Sequence, residues 1–216
     1  MDVKYFNANF WYNVWLKLTI KNTLLKIGGI NKTEAKNILA DYKRIFTINK
    51  IKIIDIQLEY HVSWCSMILA IYKTYRNKNY GQKSAIEITE KIVFQNMGAE
   101  SIEKYMARAL DRAKDAFAYI VESSKKQEVD FFGKVFEFNR LIDNENKYQL
   151  DIKKCFYYEF FHENNSEELM EIACKWDLIS WIQGIDKQKH KINMERNITI
   201  GNKEKDCEFI FERIII

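Results

Sequence analysis

A near absence of helix breakers is the feature that most limits what this chain can fold into. The 216 residues include no proline and only 7 glycines. Proline and glycine are the residues that most disfavour helix interiors, so the chain is expected to form long helices. Apolar spacing and local boundary signals divide the first 125 residues into five expected helices, at residues 4–27, 30–46, 55–79, 84–98 and 101–124.

Boundary signals support these helices. Residues with the spacing of a capping box, in which two side chains satisfy free backbone N–H groups, are Asn31 with Glu34 and Ser84 with Glu87. Glycines at the expected helix ends are Gly28, Gly29 and Gly98. The helix at 55–79 is apolar on most sides and is expected to be the most buried one.

The character of the sequence changes after residue 125. Aromatic and β-branched runs predict four strands, at residues 130–139, 149–161, 192–200 and 206–214. The residues expected to turn between these strands are 143–148 for the first pair and Gly201–Asn202 for the last. A helix is predicted at 164–184, with Asn165 and Glu168 as its cap pair and Gly184 as its stop.

These elements predict an α+β fold. A helical N-terminal half packs with a small antiparallel β-sheet and one helix in the C-terminal half. We expect one integrated domain, with a helical region at 1–125 and an α/β region at 126–216 that carries the functional site.

Arg196 is the most informative charged residue of the predicted sheet. Strand alternation places it on one face with Ile192, Met194, Ile198 and Ile200. A buried guanidinium is costly unless it is paired, so Arg196 should meet a carboxylate of the protein or of a ligand. Within the protein, Asp177 is the first candidate partner and Glu159 is the second.

The chain has 4 cysteines, and three of them fall in the α/β region. Alternation turns Cys207 inward with Phe209 and Phe211, while Glu208 points outward. Helical spacing places Cys174, Asp177 and Trp181 together beside the apolar stripe of their helix.

Cys155 shares a predicted strand face with Tyr157 and Glu159, which would suit the wall of a pocket. A single cysteine is more often a small buried hydrophobic residue, and Cys65 is expected to be one in the helical half. Three cysteines near polar partners favour their convergence on one pocket between the sheet and the helix.

Composition and motif searches exclude several classes of function. A net charge of +4 is too small to predict a nucleic-acid partner. The cysteines lack the paired spacing of zinc sites, the histidines lack metal-motif spacing, and no phosphate-binding glycine loop occurs. We therefore expect no metal and no cofactor.

Targeting signals are also lacking. No signal-peptide pattern opens the sequence and no run of 18 apolar residues occurs, so a cytoplasmic location with reduced thiols and no membrane partner is expected. Aromatic residues interleaved with lysines in the first helix could indicate RNA or membrane contact, but a solvated amphipathic face explains them better.

Several short segments together resemble the L-2-amino-thiazoline-4-carboxylic acid hydrolase family. They are "KCFYYEFF" at Cys155, "ELMEIACKWD" with Cys174 and Asp177, "ERNITIGN" with Arg196, and "CEFIFE" at Cys207. The segment "ILAIYKTYRNKNYGQKSAIEI" is also similar to the middle helices of the family. The family usually has Cys-Asp-Phe where this chain has Cys207-Glu208-Phe209, so the carboxylate is kept but lies one methylene further out.

The resemblance implies a hydrolase that opens a cyclic isothiourea, such as 2-aminothiazoline-4-carboxylate, to a carbamoyl-cysteine. The implied catalytic residues are Cys174, Asp177, Cys207 and Cys155, and the implied substrate-binding residues are Arg196, Glu159 and Tyr157. The substrate is a small molecule with a carboxylate, and the interpretation leaves room for a homo-oligomer.

Two alternatives remain open at this stage. The nucleophile is either one of the three cysteines, with Cys174 slightly favoured, or a water with Asp177 as general base. The scaffold could also be a non-catalytic small-molecule-binding domain, similar to the four-vinyl-reductase type.

Overall fold

The computed structural model describes residues 8–27 and 30–215, without the side chains of residues 180 and 181. The helix stop predicted at Gly28 and Gly29 therefore lies outside the described residues. The helices that lead the described chain are α1 Phe10–Lys26, α2 Lys32–Lys50, α3 Ile56–Asn77, α4 Gln82–Asn96, α5 Ala99–Arg112 and α6 Ala116–Gln127. None of these, nor any later helix in the described ranges, is both long and apolar enough to cross a bilayer.

The predicted capping box of α2 is confirmed. Asn31 accepts a hydrogen bond from the Glu34 backbone, and the Glu34 carboxylate accepts one from the Asn31 backbone. The box predicted for α4 is wrong, because the helix begins at Gln82 after Gly81 and has no side-chain cap. Ser84 and Glu87 therefore lie inside the helix.

The single helix predicted at 101–124 is also wrong. The backbone is extended at Ala113, and Asp115 caps a new helix by accepting a hydrogen bond from the Ala118 N–H. Aspartate is a strong N-cap residue, and here the cap overrides the helix-forming residues on both sides.

The central helix α3 is buried almost from end to end, as predicted. Its side chains from Cys65 to Ile71 are entirely shielded from solvent. Helices α1, α2 and α4, and the later helix α7 at Phe156–Glu163, pack around it. This arrangement leaves no solvated face over most of α3, in agreement with its apolar sequence.

A four-stranded antiparallel sheet follows, which confirms the α+β class. Its strands are β1 Glu137–Asp143, β2 Lys147–Lys154, β3 Ile192–Glu195 and β4 Cys207–Arg213. The order is β1-β2-β4-β3, so β4 lies between β2 and β3. The inner face carries Cys207, Phe209 and Phe211, opposite Ile152, Leu150 and Tyr148 of β2.

Two predicted strands are partly helical. Residues Glu128–Phe132 form a π-helical turn and Gly133–Val135 a 3₁₀ turn, so β1 starts later than expected. Strand β2 ends at Lys154, and α7 spans Phe156–Glu163.

The aromatic run of α7 has a high strand propensity, but its buried positions have helical spacing. They are Phe156, Tyr157, Phe160 and Phe161. The strand face predicted to join Cys155, Tyr157 and Glu159 is therefore wrong.

Helix α8, Met170–Trp181, is shorter than predicted. It follows a 3₁₀ turn at Glu167–Leu169, and Asn165 is not its cap, since that residue has a left-handed backbone with φ 51°. Gly184 lies beyond the helix end and packs on α5, where a Cβ would come within 3.0 Å of Met106 Cβ.

The chain between α8 and β4 also departs from the prediction. A short helix, α9 Lys187–His190, precedes β3, which ends at Glu195 and leaves Arg196 beyond the sheet. The predicted turn at Gly201–Asn202 is confirmed as part of a 3₁₀ turn, Ile200–Asn202, which lies in the connection between the antiparallel neighbours β3 and β4.

One hydrophobic core connects the helices to the sheet. It runs without interruption from Ala8 through α3 and α7 to Phe211 of β4. The grouping of the chain into two regions of one integrated domain stays a prediction.

Candidate functional site

Arg196 is the centre of a buried polar cluster between α8 and the sheet. Its Nη2 lies 3.2 Å from Asp177 Oδ2, and its Nη1 donates to the Cys174 carbonyl oxygen at 2.9 Å. The guanidinium carbon lies 4.7 Å from the ring centre of Phe209, and only 4% of the side chain is exposed. The expected ion pair with Asp177 is thus present. Arg196 Nε has no hydrogen-bond partner among the described residues.

The 3₁₀ turn at Ile200–Asn202 contacts two thiols, Cys207 of β4 and Cys174 of α8. The Ile200 N–H donates to Cys207 Sγ at 3.1 Å. A Cβ on Gly201 would come 2.8 Å from Cys174 Sγ, so only glycine allows this approach. We call Cys174, Asp177, Arg196 and Cys207 the thiol–carboxylate cluster.

Cys174 connects the cluster to the surface. It is partly exposed and lines an open groove of about 540 Å³ between α8, the start of α4 and the segment after β3. Arg196, Thr199 and Gly201 line the same groove. Its size is that of a small-ligand pocket.

Cys155 lies in a second, wider groove that adjoins the first. This groove has a volume of about 930 Å³, and the two share Gln82, Glu167, Glu168 and Gly201 as wall residues. Cys155 immediately precedes α7 and is 9% exposed. It lies close enough to Cys174 and Cys207 for their charges to interact. Two of the three cysteines predicted to converge, Cys155 and Cys174, therefore line adjoining grooves, whereas Cys207 is 3% exposed and is not among the lining residues of either groove.

Burial holds the thiols of the cluster in their neutral form. It raises the pKa of Cys174 to about 11, to which Asp177 contributes and which Arg196 opposes. Burial likewise raises the pKa of Cys207, against the Ile200 N–H and Arg196, and that of Cys155. Burial of these thiols therefore opposes the partial ionisation at neutral pH that nucleophilic catalysis requires.

The pKa of Asp177 is subject to the same two influences, burial and Arg196. Burial raises its pKa from 3.8 to about 6, and Arg196 opposes that rise. On the sheet side it borders a cavity of about 30 Å³, enclosed by Phe132, Phe138 and Phe209 among others. A carboxylate with this pKa is mostly ionised at neutral pH and can accept a proton from a neighbouring group.

The other predicted site residues do not join the cluster. Tyr157 is 7% exposed, and its hydroxyl lies 3.0 Å from His61 Nδ1 in the core. Glu159 lines the wider groove and pairs with Lys154 at 3.3 Å, away from Arg196. Cys65 is fully buried in α3, as expected. The predicted neighbour Trp181 lies outside the described side chains.

His61 is a buried polar residue to which the sequence analysis assigned no role. It is fully shielded, and burial lowers its pKa to about 3, so the ring is neutral. Its Nε2 donates to the Phe131 carbonyl oxygen at 3.0 Å, which leaves Nδ1 to accept from the Tyr157 hydroxyl. Six aromatic rings surround it: Tyr60, Phe131, Phe132, Phe136, Phe156 and Tyr157. The sequence signal that could have identified His61 as a buried polar residue was its position inside the most apolar helix.

Tyr72 and Glu168 form another polar pair at the site that the sequence did not predict. The Tyr72 hydroxyl donates to the Glu168 carboxylate, and Glu168 lines both grooves. Burial, together with Glu168, raises the pKa of Tyr72 to about 12. Glu168 therefore acts as a wall residue of the site and not as the predicted helix cap. Within the described ranges, no group of three His, Cys, Asp or Glu side chains is arranged to hold a metal ion.

The matched segment of a family model covers this entire arrangement. The model described as L-2-amino-thiazoline-4-carboxylic acid hydrolase matches residues 60–211, from α3 to β4. Comparisons with curated proteins and with solved structures gave no significant match. Because the match extends over more than half of the chain and includes the whole thiol–carboxylate cluster, the protein belongs to the L-2-amino-thiazoline-4-carboxylic acid hydrolase family.

Proposed function

We propose that the protein is a hydrolase that opens a small cyclic isothiourea, such as 2-aminothiazoline-4-carboxylate, to a carbamoyl-cysteine. The observation that carries this proposal is the position of Asp177. Its carboxyl, with a pKa of about 6, is paired with the Arg196 guanidinium, and Arg196 and Cys174 line an open groove. Membership of the family supports the substrate class.

The charges of the cluster match those of the proposed substrate. The ring amidine of such a compound carries a positive charge when protonated, and Asp177 is the carboxylate that can hold it. The ring carboxylate needs a cation, and Arg196 has an Nε that makes no hydrogen bond within the described structure. A planar guanidinium recognises carboxylates well, so Arg196 orients the substrate while it keeps Asp177 in place.

The first half of the proposed reaction uses Cys174 as nucleophile. Asp177 takes the thiol proton as the sulfur attacks the carbon between the ring nitrogen and the ring sulfur. The bond from that carbon to the ring sulfur then breaks. The ring sulfur leaves with its electron pair and takes the proton from Asp177. The substrate's own positive charge adds to that of Arg196 and lowers the thiol pKa at this moment.

The second half releases the product with one water. Asp177 accepts a proton from water as the oxygen attacks the amidine carbon. The bond from that carbon to Cys174 Sγ breaks, and the sulfur recovers its proton. The sum is one substrate and one water converted to N-carbamoyl-cysteine, with the enzyme unchanged.

The raised thiol pKa values favour a second route to the same product. In that route Asp177 activates water directly and no covalent intermediate forms. They also favour the second candidate function, a non-catalytic domain that binds a small carboxylate ligand in the same groove, because a binder needs no ionised thiol.

Four Cys→Ser variants and Asp177→Asn, each assayed for ring opening, separate these cases. In the thiol route, Cys174→Ser and Asp177→Asn each lose roughly a hundredfold or more in kcat/KM, and the wild type gives a covalent adduct by mass spectrometry. Cys65→Ser is the matched control, because this thiol lies in the helical core. Full activity in Cys174→Ser with loss in Asp177→Asn selects the water route. Binding without turnover by the wild type overturns the hydrolase proposal.

A further inference from the structure

Helix α1 has an apolar face on its solvent side as well as on its core side. The core side is formed by Leu16, Ile20 and Leu24, which are fully buried. The exposed apolar side chains on the helix are Phe10 at 61%, Trp11 at 77%, Val14 at 37%, Trp15 at 48%, Leu18 at 56% and Leu25 at 42% exposure. At 100° per residue five of these fall on the side opposite the core, and Phe10 lies at the edge of that side. The expectation of an ordinary solvated amphipathic face is therefore wrong, because the solvated side is the apolar one.

Contacts on the inner side fix this orientation. Asn13 Nδ2 donates to the Ile56 carbonyl oxygen at 2.9 Å, and Lys17 forms an ion pair with Glu59 of α3. Asn9 caps the helix by accepting a hydrogen bond from the Tyr12 N–H. The outward face is thus a property of the folded protein.

The charged side chains on α1 itself are all of one sign. Helix α1 contains no aspartate or glutamate and three lysines. Lys17 turns inward to Glu59, whereas Lys21 and Lys26 are exposed on either side of the apolar face. We call Phe10, Trp11, Val14, Trp15, Leu18 and Leu25 with these two lysines the α1 outer face.

The apolar residues and the lysines together indicate which kind of surface could cover the α1 outer face. Docking of two copies through the same face would bring lysines of like charge together, without an acid on α1 to offset them. An anionic bilayer instead offers acyl chains for the apolar residues and headgroup charge for the lysines. Tryptophan favours the boundary between these two layers, because its ring is apolar and its N–H is polar. We propose that the α1 outer face binds the surface of an anionic lipid bilayer, with the helix lying in the plane of the interface.

Co-sedimentation of the full chain with lipid vesicles tests this proposal. Phosphatidylcholine vesicles that contain one third phosphatidylglycerol are compared with pure phosphatidylcholine vesicles. Trp11→Ser/Trp15→Ser is expected to lower the partition coefficient for the anionic vesicles by about tenfold or more. Lys21→Gln/Lys26→Gln is expected to lower it roughly thirtyfold and to remove most of its dependence on salt.

The matched control is Val129→Ser/Leu141→Ser. It removes two exposed apolar side chains, 68% and 54% exposed, from the turn after α6 and from β1. This variant should sediment with anionic vesicles as the wild type does. Wild-type protein that does not sediment with anionic vesicles overturns the proposal. Equal loss in the control overturns it too. Analytical ultracentrifugation measures whether the protein dimerises. If the tryptophan changes abolish a dimer but leave vesicle binding intact, the face binds a second copy and not a bilayer.

Discussion

At the scale of single residues, the cluster depends on a position that has no side chain. Gly201 lies against the sulfur of Cys174, and its neighbour Ile200 donates to the sulfur of Cys207. A Cβ at 201 would come 2.8 Å from Cys174 Sγ, whereas its 3.5 Å distance from Met170 Cβ would be an ordinary van der Waals contact. The distance between α8 and the 3₁₀ turn is therefore set by this glycine.

Gly201→Ala should move the turn away from α8 and destabilise the protein by about 1–3 kcal/mol, as overpacking does. Urea denaturation measures the loss, and the rate of Cys174 alkylation reports the opened site. Gly81→Ala is the matched control, because a Cβ at Gly81 meets nothing within 4 Å. Equal stability of the two variants would show that the contact at Gly201 relaxes without cost.

Asp177 should titrate near pH 6, which carbon-13 NMR of labelled aspartate carboxyls can follow. Arg196→Met should raise that pKa further, because the guanidinium opposes the effect of burial, whereas Arg44→Met on α2 should leave it unchanged. In the hydrolase, kcat/KM should fall about tenfold per pH unit below this pKa, as the base becomes protonated. A titration at the ordinary aspartate value in the folded protein contradicts the prediction.

The same pKa shift fixes the direction of a stability change. The folded-state pKa lies above the ordinary value of 3.8, so the protonated carboxyl favours the folded state. This contribution is complete below about pH 4 and is lost as the pH rises through about 6.

At the scale of elements, helices with strong periodicity or a capping box were predictable and the α7 segment was not. Asn31 and Glu34 encode the start of α2 locally, and the structure has the same start. The segment after Cys155 has the aromatic composition of a strand, yet its rings are buried only if it turns as a helix against α3. Packing partners that are distant in sequence decide that choice, and propensity does not register them.

The candidate site was predictable to the same limited degree. Asp177 and Arg196 could be paired because an inward arginine requires a carboxylate. Tyr157 was misplaced because its direction depended on the strand that proved to be α7. Contacts such as that of Gly201 with Cys174 arise from the docking of a turn on a helix, and local sequence does not encode them.

Asp115→Ala should destabilise the protein by about 1–2 kcal/mol, since it removes the cap of α6. The same carboxylate accepts two hydrogen bonds from Arg213 of β4, at 2.8 and 3.1 Å, so the change also loosens helix and sheet. Asp41→Ala, which breaks an exposed pair with Arg44, is the control and should change stability little. Denaturant unfolding compares them, and equal effects would contradict a capping role.

The pH dependence of this ion pair has a defined sign. Arg213 lowers the pKa of Asp115 below its ordinary value. The stabilisation of the fold by this ion pair is therefore complete above the ordinary aspartate pKa. It is lost as the pH falls through that value toward the lower folded-state pKa.

At the scale of the whole molecule, His61 connects parts of the chain that are far apart in sequence. From α3 it donates to the turn before β1 and accepts from Tyr157 of α7. With the continuous core, this contact couples the helices to the α/β region. We expect the protein to unfold as one integrated domain.

His61→Ala should destabilise the protein by about 3 kcal/mol, because it leaves a cavity and removes two buried hydrogen bonds. Tyr157→Phe should cost about 1–2 kcal/mol, because it leaves Nδ1 without a donor. Far-ultraviolet circular dichroism and tryptophan fluorescence should shift together in both variants. Two separate transitions would show that the regions unfold independently.

The central position of β4 determines when the protein can become functional during its synthesis. Translation produces the helices and strands β1, β2 and β3 before it produces β4, which pairs with both β2 and β3. Until Cys207–Arg213 has left the ribosome, β2 and β3 each keep an unpaired edge, and such edges readily pair with other chains. The nascent chain is therefore open to misassembly until β4 inserts, and until then the Cys174 thiol has no Cys207 beside it.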